Sequence, residues 1–276
     1  MPFNQRQYMN NHYLIHLPHS GNSIPKKYIS DYTISNDELI LNMEQFSDLY
    51  LDDLYSSMIE EFGYVKNNYS RLFFDPERFF DDSKEDMHLH YKLGWFYENT
   101  PLEDKTLRTT KNKEEISQYY IKHHQNLYLK TKEKLDIYKK CTVIDCHSFS
   151  NTNYWFKKQN LTLADIYIDY NPMHKDHFLI DTILEEFKNY HVVINSHLNR
   201  PVIPNDYYES KKNIKAVVIK INKKLYLESD NITKNNNYNI LKDKINTIFS
   251  KLKNKTSLTK MNKNTTNYSN HLLDLH

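Results

Sequence analysis

The stretch Cys141-Thr-Val-Ile-Asp-Cys-His-Ser-Phe149 constrains this chain more than any other. A short apolar run rich in β-branched residues reads as a buried strand. Here it is broken by Asp145, His147 and Ser148. Side chains two apart on an extended chain point the same way, so Asp145 and His147 share a face. Open α/β sheets bind ligands just beyond the carboxyl ends of such strands. Tyr13-Leu-Ile-His-Leu-Pro-His19-Ser-Gly-Asn22 has the same form, an apolar run that ends in His, Ser and Gly. Two strand ends that each deliver a histidine point to a shared metal site.

The remaining elements can be placed around these two. Residues 36–62 read as one long helix, with Leu39, Ile40, Met43, Phe46, Leu54 and Met58 at helical spacing and Gly63 as its stop. Asp48 falls within it. Residues 70–80 carry Arg71 and Arg78 around Asp75 and are too aromatic for a free loop. Residues 81–111 are charged and lack periodicity, which predicts a long surface excursion of the kind that forms lids. A second helix is expected over 113–139, then the central strand. An Asn-rich segment over 150–160, a strand at 164–168, a helix over 177–190 and strands at 191–195 and 214–221 follow. An amphipathic helix over 237–252 closes the pattern. Strands alternating with helices predict an α/β fold: three layers, a mixed and mostly parallel sheet with helices on both faces. Residues 1–252 read as a single domain, and 253–276, rich in Lys, Asn, Thr and Ser, as a disordered polar tail.

Composition removes several classes. The formal net charge of +2 gives no bias toward nucleic acid or an anionic membrane surface. No apolar signal core or membrane-length run occurs, so a cytoplasmic location is expected. Cys141 and Cys146 sit on one predicted strand facing opposite ways, so they are not expected to pair. The lack of a G-x-S-x-G elbow gives a serine nucleophile at Ser20 or Ser148 no support.

His19 and His147 lead the chemistry. Catalytic zinc takes three protein ligands and a water, and the third is often a carboxylate; Asp48 is the candidate. The bland alternative makes each histidine an ordinary loop or capping residue. A guanidinium fork grips a carboxylate at two points, so Arg71 and Arg78 could hold an acidic substrate. Their alternative is an internal ion pair with Asp75 or Glu77. Tyr119, Tyr120, His123 and His124 read as part of a helix's core face, and His16 as a strand residue.

Pro18-His19-Ser20-Gly21, Asp48 to Leu54, Ser70-Arg71-Leu72, Asp75-Pro-Glu77-Arg78-Phe79, Leu107-Arg108, Asp145-Cys-His-Ser-Phe149, Asn195 and Ile221-Asn222 follow one another in an order that resembles the N-formylglutamate amidohydrolase family. The resemblance spans residues 13–227. It implies a carboxypeptidase-like, phosphorylase/hydrolase-type α/β core and a zinc-dependent amidohydrolase acting on a small acidic N-acyl amino acid. It further implies His19, Asp48 and His147 as metal ligands, Asp145 as a catalytic group, and Arg71, Arg78, Arg108, Ser20 and Asn195 as substrate-binding residues. One departure stands out. Where the family shows a Glu in the late strand, this chain has Lys220. That substitution keeps a second reading open: a relative that binds metal or a small acidic ligand without turnover. A third is a structural protein in which these residues belong to the core and to salt bridges.

Overall fold

Tyr13–Leu17 forms β1 and Cys141–Phe149 forms β3, and the two lie side by side in parallel with His16 opposite Asp145. They hold the centre of a sheet ordered β2-β1-β3-β6-β4-β5, where β2 is Tyr64–Lys66, β4 Ile166–Asp169, β5 Val192–Ile194 and β6 Ile214–Asn222. Neighbours are parallel except β4 and β6, which run antiparallel. The structure, a computed structural model, describes residues 11–101, 103, 105–150, 164–195, 201–204, 207 and 213–273, with side chains through Lys255. The Asn-rich segment beyond 150 and the stretch 196–200 lie outside the described residues.

Helices cover both faces, as the alternation of elements requires. Ile15, Leu17, Ile144, Cys146, Val217 and Ile219 pack against Leu54, Met58 and Phe62, and against Leu179, Ile183, Leu241, Ile245 and Ile248. The second of these groups comes from helices over His177–Glu186 and Tyr238–Leu273. On the other face Leu14, Cys141, Val143 and Ala216 meet Leu127 of the helix Lys113–Tyr138. The two cysteines therefore occupy opposite cores, and both are free.

Two expectations need correction. The segment read as one helix over 36–62 is broken into α1 (Asn36–Phe46), α2 (Leu51–Leu54) and α3 (Ser56–Phe62). Ser47 returns its hydroxyl to the Met43 carbonyl, the Asp48 amide donates to the His19 carbonyl at 2.9 Å, and Tyr50 turns left-handed at φ 63°. Asp48 thus sits, buried, in a break stitched to the end of β1 and not within a helix. The excursion over 81–111 is not a free surface loop. Besides a short helix, α4 (Asp86–Tyr91), it buries Leu93, Trp95, Phe96, Tyr97 and Leu107 against Phe73, Phe74, Leu39 and Tyr120 of α5 (Lys113–Tyr138). Its apolar residues are clustered rather than periodic, so pattern reading misses them. The last helix, α7 (Tyr238–Leu273), nucleates on buried Leu241, Ile245, Ile248 and Leu252 and meets no Pro or Gly before Leu273. The helix α6 (His177–Glu186) lies against it. Among the described residues no helix is long and apolar enough to cross a membrane.

Candidate active site

Pro18 and the loop after it turn His19 inward at the carboxyl end of β1, and β3 delivers His147 beside it. The two rings stand with centroids 5.1 Å apart, and each is 1% exposed. The loop that carries His19 is pressed against another backbone. A β-carbon on Gly21 would come within 2.2 Å of the Asn68 carbonyl carbon, so only glycine fits there.

Carboxylates surround the pair on two sides. Asp48 Oδ2 lies 3.2 Å from His147 Nδ1 and 3.7 Å from His19 Nδ1, while its other oxygen accepts from the Ser148 hydroxyl at 2.8 Å. On the Nε2 side, His19 meets Asp75 at 2.8 Å and Glu77 at 3.7 Å. His147 Nε2 meets Glu77 at 2.7 Å and Asp145 at 3.1 Å. Among the described residues, His19, Glu77 and His147 form a set whose donor atoms all fall within 4.8 Å of one another. The sequence offers Glu77 only as an ion-pair partner for the arginines, not as a site carboxylate. The signal was present, since it stands two residues from Asp75 in a segment already marked by its arginines.

The charges of the site depend on one another. Burial alone would raise the Asp48 carboxyl, yet His147 and His19 hold it well below the usual carboxylate range. Asp75 is held low against burial by Arg71 and His19, and Glu77 by the two imidazoles. Burial opposes the charged form of His147, but Glu77, Asp145 and Asp48 outweigh it and push the imidazole well above its ordinary value. Acidic groups crowd two imidazoles here, an environment that favours a bound cation.

The other expected residues divide. Arg71 grips Asp75 through two nitrogens, at 3.1 and 2.6 Å, and Tyr97 donates to the same oxygen at 2.7 Å. Arg71 therefore serves the internal ion pair. Arg78 donates to Glu85 at 3.3 Å, its side chain is 26% exposed, and its Nε faces Asp75 at 3.8 Å with no hydrogen-bond partner among the described residues. The Ser20 hydroxyl is likewise buried without one. Asp145 is fully buried under His147 and accepts from the Val202 amide at 3.2 Å, so it orients the ring instead of reaching a substrate. Arg108 is spent on the scaffold: it donates to the Tyr97 and Phe73 carbonyls and the Tyr32 hydroxyl and stacks 3.5 Å over Phe96. Asn195 is not brought to the site. It follows edge strand β5, three strand spacings from β3 and roughly 14 Å away. Because β4 and β5 run against β6, its carboxyl end points away from the histidines. Its side chain accepts from the Tyr170 amide instead. Lys220 pairs with His147 in register on β6, and burial lowers its ammonium against the pull of Glu77 and Asp48.

A mixed, mostly parallel sheet with two histidines and clustered carboxylates at the ends of its central strands defines an α/β protein with a hydrolase-like site. The chain belongs to the N-formylglutamate amidohydrolase family, whose model matches residues 12–227. Its fold is similar to that of N-formylglutamate amidohydrolase from Ralstonia eutropha JMP134, with TM-score 0.70 and 17% identity over 90% of this chain and 95% of that one. It is also similar to a gene product of Agrobacterium tumefaciens, with TM-score 0.56 and 17% identity over 88% and 92% of the two chains. No curated protein matches the chain.

Proposed function

We propose that this protein hydrolyses the amide bond of a small N-acylated acidic amino acid, of the N-formylglutamate type, with the help of a divalent metal, zinc by the nature of the donors. The observation that carries this reading is the meeting of His19 and His147, remote in sequence, among the carboxylates of Asp48, Asp75, Glu77 and Asp145. Two imidazoles and a carboxylate are a usual donor set for catalytic zinc.

Which carboxylate completes the set follows from the opposite ring edges. A ligating histidine donates its other N–H to a carboxylate or carbonyl. His19 Nε2 already has Asp75 at 2.8 Å, and His147 Nε2 has Glu77 at 2.7 Å and Asp145 at 3.1 Å. Both Nδ1 atoms face Asp48. The proximity of Glu77 to both Nε2 atoms marks it as the rival ligand, but ligation there would displace Asp75 from its shorter contact with His19. We therefore assign His19, Asp48 and His147 as the metal-holding residues. Bound there, zinc supplies a polarised amide carbonyl and a water acidic enough to attack at neutral pH.

Glu77 is then the proton carrier. Its carboxylate is 14% exposed, at the rim, and stays ionised beside the two imidazoles. It can take a proton from the attacking water and return it to the leaving nitrogen. A charged Lys220 cannot do this, and its place beside His147 suits it to hold negative charge. Arg78, partly exposed and held between Asp75 and Glu85, is the group for the substrate carboxylate, and the Ser20 hydroxyl, without a hydrogen-bond partner among the described residues, is a further donor. Lys220 also favours a second reading, binding without turnover. Incubation with N-formyl-L-glutamate separates the two: formate release supports the hydrolase, and ligand binding without formate supports the other.

A further inference from the structure

Beneath His147 a line of buried polar groups runs from the site toward α5. Asp145 Oδ1 lies 3.1 Å from His147 Nε2 and 2.9 Å from His16 Nδ1. His16 Nε2 lies 2.9 Å from His123 Nε2. His16 and Asp145 are fully buried and His123 is nearly so. Register explains the first contact, since β1 and β3 pair these two residues, and α5 lowers His123 onto the same face. Apolar side chains would fill this space without the desolvation cost that buried polar groups carry.

The hydrogens in this line fix one another. Two ring nitrogens at 2.9 Å need one donor and one acceptor. Asp145 Oδ1 faces an imidazole nitrogen on each side, at 2.9 and 3.1 Å, and a carboxylate oxygen so placed accepts from both. His16 Nδ1 therefore carries a hydrogen toward it. With that hydrogen at Nδ1, His16 offers a lone pair at Nε2, 2.9 Å from His123 Nε2, and His123, kept neutral by burial, donates its own Nε2–H there. At the other end His147 Nε2 lies between two carboxylate acceptors, Asp145 Oδ1 at 3.1 Å and Glu77 Oε1 at 2.7 Å, and its hydrogen is directed to this pair. The nitrogen that His147 can give to a cation is then Nδ1, the one facing Asp48.

We propose that His16 and His123 are positioning residues that orient Asp145 and, through it, fix His147 as a ligand through Nδ1. This rests on the metal-hydrolase reading. In general, partners of this kind tune metal affinity by about 10- to 100-fold.

The test measures cobalt(II) affinity by chelator competition and reads ring tautomers by nitrogen-15 NMR. In metal-free wild type, His16 should show Nδ1–H and His123 Nε2–H. In the zinc-loaded protein, His147 should retain a hydrogen at Nε2. Folded His16→Leu should bind cobalt at least about 10-fold more weakly. His123→Gln, whose amide still donates to His16, should bind close to wild type, and His123→Leu more weakly than His123→Gln. If wild type binds no cobalt, the metal reading fails and this proposal with it. If cobalt binds tightly to wild type and equally to folded His16→Leu, only the positioning role fails. Should neither His16 nor His123 variant fold, the wild-type spectra decide, and a donor at His16 Nε2 with an acceptor at His123 overturns the proposal.

Discussion

His19 Nε2 and Asp75 Oδ1 lie 2.8 Å apart at the bottom of the site, and neither group is open to solvent. Arg71 and Tyr97 hold the other carboxylate oxygen, so Asp75 is fixed before it meets the imidazole. A carboxylate so held sets the orientation of the ring and the nitrogen it presents.

Asp75→Asn keeps the shape but removes the charge that Arg71 faces. Metal affinity should fall by about 10- to 100-fold. Stability should drop by roughly 3 kcal/mol, because a largely buried guanidinium loses its partner. Chelator competition and thermal unfolding read the two effects separately.

Glu77 and Asp48 are told apart by their neutral variants. Glu77→Gln should keep its metal and lose about 10²- to 10⁴-fold in kcat, the usual worth of a general base. Asp48→Asn should lose the metal itself. Metal content by elemental analysis, together with initial rates, checks both. Loss of metal from Glu77→Gln would make Glu77 the third ligand instead.

Gly21→Ala has no space. The new methyl would sit 2.2 Å from backbone carbon of Asn68 and 2.5 Å from the Asn67 carbonyl oxygen, neither of which can swing aside. Destabilisation of about 1–3 kcal/mol is expected for overpacking, with a larger proportional loss of metal affinity because the His19 loop must shift. Denaturant unfolding and metal titration measure the two.

Acid should weaken the fold in a defined window. Burial lowers His12 and His124 from 6.5 to about 4. The unfolded chain then binds more protons than the native one as pH falls through 6.5, so stability declines from there to about pH 4. His147, shifted the opposite way, changes stability only above that window. A thermal-unfolding series from pH 7 to pH 4 should show the midpoint fall. His124→Gln, which can still donate to the Pro76 carbonyl, should flatten the curve.

Much of this was legible in the sequence because strand and helix signals are local. The apolar runs at 13–17 and 141–149 and the period of 113–138 gave the sheet centre and α5, and their polar ends gave His19 and His147. What the sequence did not reveal depends on long-range contact. Asp48 is placed by a hydrogen bond from its amide to the end of another strand, across a helix break that helical periodicity hid. Glu77 reaches His147 from a segment whose Asp75 is held by Arg71, Tyr97 and His19 and accepts from the Glu77 amide at 3.0 Å. Asn195 matched a motif position, but the reversal of β4 and β5, which no local pattern encodes, carries it away. Arg108 matched as well, and its partners are two backbone carbonyls, the Tyr32 hydroxyl and the Phe96 ring, remote contacts that sequence cannot announce.

The most direct trial is to titrate zinc into metal-free protein while following formate release from N-formyl-L-glutamate. Turnover should rise with zinc, saturate at a single ion per chain, and be absent in His147→Ala at any zinc concentration. Equal formate release with and without zinc, or undiminished turnover in His147→Ala, would contradict a hydrolase built on the meeting of these two histidines.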